Sequence, residues 1–293
     1  MASPPTHSEP ATRHCLLGLI GSAIQASKSP SMHETEAAAQ GISCKYELID
    51  LDERKVGIEC LPALLSEAER RGFTGLNVTY PCKQAVIPLL HELSPDAEAI
   101  GAVNTILFQD GRRKGYNTDS WGFAQSFRRD MKAASIDKVV QIGAGGAGAA
   151  TAFALLEMGA REVRIVDLDH RRASALAAGL SLHFPDRKVH TAESLPAALR
   201  DAHGLVNATP IGMSKHPGSA VPQDLLRPEL WVADIVYFPL NTALLQAARV
   251  AGCRTLDGGG MAVYQAVRAF ELFTGRSPDA ARMRRHFDRL VAI

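Results

Sequence analysis

The chain has almost no net charge: Lys and Arg number 32, Asp and Glu 31, a formal +1 over 293 residues. That balance argues against nucleic acid or an acidic membrane held through bulk charge, and a small molecule is the expected partner. Five cysteines, Cys15, Cys44, Cys60, Cys82 and Cys253, are an odd number without any C-x-x-C. Neither a disulfide framework nor a thiolate zinc site follows, and a reducing, cytoplasmic compartment fits best. The ten histidines hold no H-E-x-x-H, so no metal is expected. No G-x-S-x-G elbow is present either. The first fourteen residues have no apolar run of the kind a signal peptide needs, and residues 1–12 are expected to form a disordered tail. The weakly polar stretch Gly143 to Ala160 is mostly Ala and Gly, lacks sustained Leu, Ile, Val or Phe, and reads as a buried helix with its entry turn.

What is present is an alternating α/β pattern long enough for about two domains. Apolar runs at Cys15 to Ile20, Lys45 to Asp50 and Gly75 to Thr79 are each followed by helix-compatible sequence. Pro30 and Pro81 suit the first position of the helices that follow. Val103 to Gln109 and Arg113 to Asn117 flank Asp110-Gly111, which predicts a tight hairpin and an antiparallel ending of the first sheet. A second series starts at Lys138, with strands at Val163 to Val166, Gly204 to Asn207, Trp231 to Asp234 and Arg254 to Leu256. Residues from Gly260 onward are helical in pattern, with Val263, Val267, Phe270 and Phe273 on one face, and are expected to pack back on the first domain. The expected architecture is two α/β domains, one over 13–124 and one over 125–259, followed by C-terminal helices over 260–293.

The most interpretable motif is Gly143-Ala144-Gly145-Gly146-Ala147-Gly148, a G-x-G-x-x-G between a strand and a helix, with Asp167 19 residues past Gly148. Such glycines permit a tight turn and close backbone approach to a pyrophosphate, while the helix N-terminus supplies N–H donors. No Gly-Lys-Ser/Thr follows, which disfavours a mononucleotide P-loop. Asp167 stands where a carboxylate accepts the ribose hydroxyls and repels a 2′-phosphate, so NAD is favoured; Arg171 and Arg172 leave NADP open. In the first half, Ser27 and Ser29 sit in a strand-end loop before a helix, either to bind a carboxylate or, for Ser29, to cap that helix. Asn77, Thr79 and Lys83 place an amide, a hydroxyl and an ammonium on another strand-to-helix turn.

These segments occur in order with Gly101 to Thr105, Asn117 to Asp119, Val206 to Met213, Asp234 to Tyr237 and Asp257 to Gln265. The set resembles the shikimate dehydrogenase family over nearly the whole chain, and within it most resembles the NAD-using quinate/shikimate dehydrogenases. The resemblance implies reversible hydride transfer between NAD(P) and the C3 hydroxyl or ketone of a shikimate-like ring acid. It implies Lys83 and Asp119 as the catalytic pair, the lysine giving or taking the proton, and Ser27 and Ser29 on the substrate carboxylate. Asn77, Thr79, Asn104 and Gln265 would bind ring hydroxyls. Gly143, Gly145, Gly146, Ala147, Gly148, Asp167, Arg172 and Thr209 would hold the nucleotide, and Met213, Tyr237, Gly260 and Met261 its nicotinamide end. Many NADP-using members carry Asn-Arg-Thr where this chain has Asp167-Leu168-Asp169, which again favours NAD. An amino-substituted ring analogue, or a ligand-sensing module on the same scaffold, is the alternative; a sensor would have no reason to keep Lys83 and Asp119. A monomer or homodimer is expected.

Overall fold

The computed structural model describes residues 14–292; the expected tail, 1–12, lies outside the described residues. In chain order the strands are β1 (His14–Gly21), β2 (Ser43–Asp50), β3 (Gly75–Val78), β4 (Glu92–Leu93), β5 (Thr105–Gln109), β6 (Arg112–Tyr116), β7 (Lys138–Ile142), β8 (Glu162–Val166), β9 (Lys188–Thr191), β10 (Gly204–Asn207), β11 (Trp231–Asp234) and β12 (Arg254–Leu256). The helices are α1 (Ser29–Ala39), α2 (Leu51–Arg54), α3 (Leu61–Arg70), α4 (Cys82–Ala85), α5 (Pro95–Ile100), α6 (Thr118–Asp130), α7 (Gly146–Glu157), α8 (His170–His183), α9 (Leu195–Leu199), α10 (Ala243–Val250), α11 (Gly259–Thr274) and α12 (Ala280–Val291).

They build two six-stranded sheets, ordered β2-β1-β3-β5-β6-β4 and β12-β11-β10-β7-β8-β9. The second is parallel throughout. Numbered from its own first strand, its order is 3-2-1-4-5-6, that of a dinucleotide-binding Rossmann sheet. In the first sheet only β5 runs against its neighbours. Asp110 (φ 52°) and Gly111 (φ 69°) are both left-handed, the conformation a two-residue hairpin loop needs to match strand twist, and they join β5 to β6.

Three local expectations are corrected. The hairpin does not end the first sheet, because β4 adds outside β6; two residues are too few to carry a period. The second sheet gains β9, whose Lys188-Val189-His190-Thr191 has a single apolar residue, as an edge strand can. Pro81 occupies the position just before α4 and Pro30 the second position of α1, so neither is its helix's first residue.

Helices α11 and α12 return to the first sheet. Arg282 of α12 makes a two-pronged ion pair with Glu36 of α1, at 2.7 and 2.8 Å, and the Glu36 side chain is fully buried. Helix α11 crosses α6 closely because Gly122 carries no side chain: a Cβ there would stand 2.8 Å from the Gln265 nitrogen. Among the described residues no helix is long and apolar enough to cross a membrane.

Candidate active site

In an open parallel sheet the crevice for a ligand opens at the carboxyl ends of the strands, where the order reverses, here between β7 and β10. Strand β7 runs into Gly143, whose φ of +100° favours glycine, and a Cβ there would stand 2.6 Å from the Ala208 carbonyl oxygen. Gly148 rests directly on the Gly143 carbonyl, with no room for a side chain. Gln141, wholly buried in β7, pins this turn: its Nε2 donates to the carbonyls of Gly143 (3.1 Å) and Gly148 (2.7 Å), and its Oε1 accepts from Thr151 (2.7 Å). Helix α7 then begins at Gly146 with no side-chain cap, and a Cβ on Gly145 would meet only open space. Uncapped first-turn N–H donors around an open cradle fit a dinucleotide pyrophosphate.

Asp167 follows β8 at the rim of that turn. Its Oδ2 accepts from the Ala144 N–H (2.7 Å) and its Oδ1 from the Asp169 N–H (2.8 Å). Each oxygen keeps a lone pair for a ribose hydroxyl. Arg172 is exposed and lies 3.7 Å from Asp169, which caps α8. On the neighbouring strands Asn207 accepts from the Thr209 hydroxyl (2.7 Å) and donates to Asp234 (3.0 Å). Burial pushes the Asp234 carboxyl above its usual range despite donors from Thr242, Val236 and Asn207. Met213 and Tyr237 are each 41% exposed, whereas Met261 is 8% exposed and packed in the core beside Phe123. Gly260 leaves room for Ser126 of α6.

The first sheet presents its motifs at the same cleft. Gly21 ends β1 against Thr79 and Tyr80: a Cβ on it would stand 2.8 Å from the Tyr80 carbonyl oxygen, and the Ser22 N–H donates to that oxygen at 2.9 Å. Next comes Ala23, at φ 55°. Asp50, the last residue of β2, holds this loop by accepting from Ala23 N–H (3.2 Å), Ile24 N–H (3.1 Å) and Gln25 Nε2 (2.9 Å). Burial raises the Asp50 carboxyl, yet the bonds from Gln25, Ile24, Asp52 and Ala23 bring it below its ordinary value. The Ser27 hydroxyl accepts from the Ser29 N–H (3.3 Å). Ser29 is the first helical residue and Lys28 the cap position, so the alternative of Ser29 as a cap falls.

Asn77 and Asn104 are buried neighbours. The Tyr46 hydroxyl donates to Asn77 Oδ1 (2.8 Å), and Asn77 Nδ2 donates to Thr105 Oγ1 (3.0 Å). Asn104 Oδ1 accepts from the Thr118 N–H (2.7 Å). Thr79 is half-buried at the end of the same strand, and Gln265 stands half-buried on α11, its Nε2 on the Ala262 carbonyl (3.0 Å).

Lys83 of α4 and Asp119 of α6, 36 residues apart, meet as an ion pair with Nζ 2.5 Å from Oδ2. Their side chains are 19% and 9% exposed. Asn117 caps α6, accepting from the Asp119 and Ser120 N–H groups at 3.1 and 3.3 Å, so the carboxylate sits in the first turn, where the helix dipole favours it. The two halves converge here: a Cβ on Gly146 would lie 3.4 Å from Lys83 Cδ, and Lys28 Nζ lies 5.9 Å over the Phe238 ring. Tyr237 has its phenol raised by surrounding protein and by the Asp119 carboxylate.

Asp50, Tyr46 and Gln141 were not singled out from sequence. Gln141 gave a signal, a polar residue inside an apolar strand just before the glycine turn. Asp50 and Tyr46 gave none, because their partners lie on other strands and loops.

Comparison with known proteins adds an independent line. A family profile described as the shikimate dehydrogenase substrate binding domain matches residues 19–106, and one described as the shikimate 5′-dehydrogenase C-terminal domain matches residues 258–286. A protein of Streptomyces avermitilis named shikimate dehydrogenase (NADP(+)) is 56% identical over 92% of this chain and 93% of its own. One of Corynebacterium efficiens named quinate/shikimate dehydrogenase (NAD(+)) is 48% identical over 93% of this chain and 97% of its own. Among solved structures, quinate dehydrogenase from Corynebacterium glutamicum in complex with NAD is 44% identical and superposes with a TM-score of 0.88, covering 94% of this chain and 99% of that one.

Proposed function

The chain belongs to the shikimate dehydrogenase family, and from that premise we propose that it catalyses reversible oxidation of the C3 hydroxyl of shikimate, and of a quinate-like ring acid, with NAD as the preferred nucleotide. The observation that carries the reading is the Lys83–Asp119 pair, 2.5 Å apart, standing against the uncapped start of α7. The bound nicotinamide dinucleotide supplies the hydride acceptor or donor. This chain's own residues do the rest. The Ser27 and Ser29 hydroxyls donate to the ring carboxylate and so fix the acid's direction in the cleft. Asn77, Thr79, Asn104 and Gln265 bind the ring hydroxyls. Lys83 gives a proton to the developing alkoxide in ketone reduction and takes it in alcohol oxidation, while Asp119 holds the lysine nitrogen in place.

For the nucleotide, the N–H groups of Gly145, Gly146, Ala147 and Gly148 take the pyrophosphate, Gly143 allows the turn, and Asp167 takes the ribose hydroxyls. Thr209 and Gly260 belong to the nucleotide site, and Met213, Tyr237 and Met261 to its nicotinamide end. Arg172 stands exposed beside Asp169, and the Asp167 carboxylate at the rim of the glycine turn supports NAD, even though relatives of both kinds occur. With this goes the division into a substrate domain over 13–124, a nucleotide domain over 125–259 and returning helices over 260–293.

The test mixes purified protein with shikimate or quinate and either NAD+ or NADP+, following reduced-nicotinamide absorbance. Turnover, faster with NAD+, is expected; calorimetric NAD binding with no turnover of either acid would sink the proposal.

A further inference from the structure

We infer that Tyr46 is a positioning residue of this site, one that holds the oxygen end of the Asn77 amide and so fixes where that amide meets the ring acid. The inference rests on the reading given under Proposed function. Tyr46 lies in β2, two strands away from Asn77 of β3, and is 6% exposed. Its N–H donates to Glu34 of α1 at 2.8 Å, and its hydroxyl donates to Asn77 Oδ1 at 2.8 Å. The phenol therefore holds an amide assigned to the ring acid.

The phenol is held on its faces as well as at its tip. His33, one turn along α1 from Ser29, packs against it with ring centroids 5.1 Å apart and planes tilted by 32°, and also meets Phe270 (6.0 Å) and Phe273 (5.9 Å). His33 is fully buried, and neither ring nitrogen has a hydrogen-bond partner. Burial alone drives its pKa down to about 3, so it stays a neutral plate. Burial also pushes the Tyr46 phenol well above its ordinary value, so the hydroxyl remains a donor at any ordinary pH.

The consequence falls on Asn77. A side-chain amide has an acceptor end and a donor end, and its two orientations differ only by what surrounds them. With the Tyr46 O–H on Oδ1, Nδ2 points to Thr105 Oγ1 (3.0 Å) and the Asn104 carbonyl (3.4 Å). Thr105 Oγ1 gives its own proton to Asn104 Oδ1 (3.0 Å), so turned over, the amide would set its oxygen against the Thr105 lone pairs and a carbonyl, whereas the Tyr46 hydroxyl serves as donor or acceptor. Thr105 and the Asn104 carbonyl thus set the sense of the amide and Tyr46 anchors its oxygen end, while touching neither the nucleotide turn nor the Lys83–Asp119 pair.

The test is a cycle of Tyr46→Phe, Asn77→Ala and the double variant, with KM for shikimate, KM for NAD and kcat measured for each. Tyr46→Phe is expected to raise the shikimate KM about tenfold, the loss of one buried hydrogen bond, with the NAD KM unchanged and kcat within about threefold. In the Asn77→Ala background the same change is expected to move the shikimate KM less than about twofold, because its route is gone. Thr105→Val strips the other end of the same amide and should give the same acid-specific rise, which reads the inference even if Tyr46→Phe does not fold. Equal effects of Tyr46→Phe in both backgrounds, or parallel losses in the KM for NAD, would overturn the positioning role. A parent protein that turns over neither shikimate nor quinate would overturn the reading beneath it instead.

Discussion

Replacing Asp50 with Asn keeps the size of the side chain and removes its charge, which isolates what the carboxylate does. The native group is 3% exposed and accepts from Ala23 N–H, Ile24 N–H, Gln25 Nε2 and Asp52 N–H at 3.2, 3.1, 2.9 and 3.1 Å. An amide oxygen accepts about half as many bonds, and its NH2 end turns a donor toward the remaining N–H groups. Ala23 also sits at φ 55°, a conformation that costs a non-glycine residue about 1 kcal/mol and needs its surroundings to hold it. Losing two bonds to a charged acceptor, offset by relaxation of the partly exposed loop, gives a destabilisation of about 2–3 kcal/mol. Because the folded carboxyl lies below its ordinary value, this contribution is complete above the unfolded pKa and is lost as pH falls through the folded one. Urea unfolding at pH 7 and in acid measures both the loss and its disappearance. The same loop carries Ser27 and Ser29, so the shikimate KM should rise while the NAD KM holds. A variant as stable as the parent at pH 7, with an unchanged shikimate KM, would refute the reasoning.

Lys83→Ala should lower kcat by two orders of magnitude or more and leave NAD binding by calorimetry unchanged; a kcat within a few-fold of the parent would remove Lys83 from the proton path. Asp167→Ser should shift the ratio of kcat/KM for NAD to that for NADP toward NADP, and an unmoved ratio would deny the carboxylate its ribose role. Arg282→Met leaves Glu36 buried without its cation and should lower the melting temperature at pH 7. The Glu36 carboxyl is raised by burial but, on balance, lowered by Arg282, Asp279 and Gln40. Parent and variant melting temperatures should therefore converge as pH falls through the native Glu36 pKa; a gap independent of pH would contradict this.

Much of the fold was legible because parallel strands buried on both faces read as apolar runs punctuated by turns. The Gly143–Gly148 turn after Val139-Val140, and Asp110-Gly111 between β5 and β6, are local signals whose chemistry demands one conformation. Strands β4 and β9 were hidden for the opposite reason: two residues in one and mostly polar residues in the other leave no period to see. In the site, Lys83 and Asp119 were individually ordinary, and only the ordered set of motifs singled them out before the fold brought them to 2.5 Å. Asp50 and Tyr46 bond to groups 12 to 31 residues distant or within their own turn, contacts set by the packing of strands and helices. No local pattern could have named them.

The central claim, hydride transfer from a ring carbinol to a bound nicotinamide with Lys83 managing the proton, is tested most directly with shikimate deuterated at C3 and NAD+. The account predicts that the deuterium appears on the reduced nicotinamide, by mass spectrometry, and that Lys83→Ala slows this transfer without diverting the label. Deuterium released to water, or none on the nicotinamide while the acid is consumed, would contradict it.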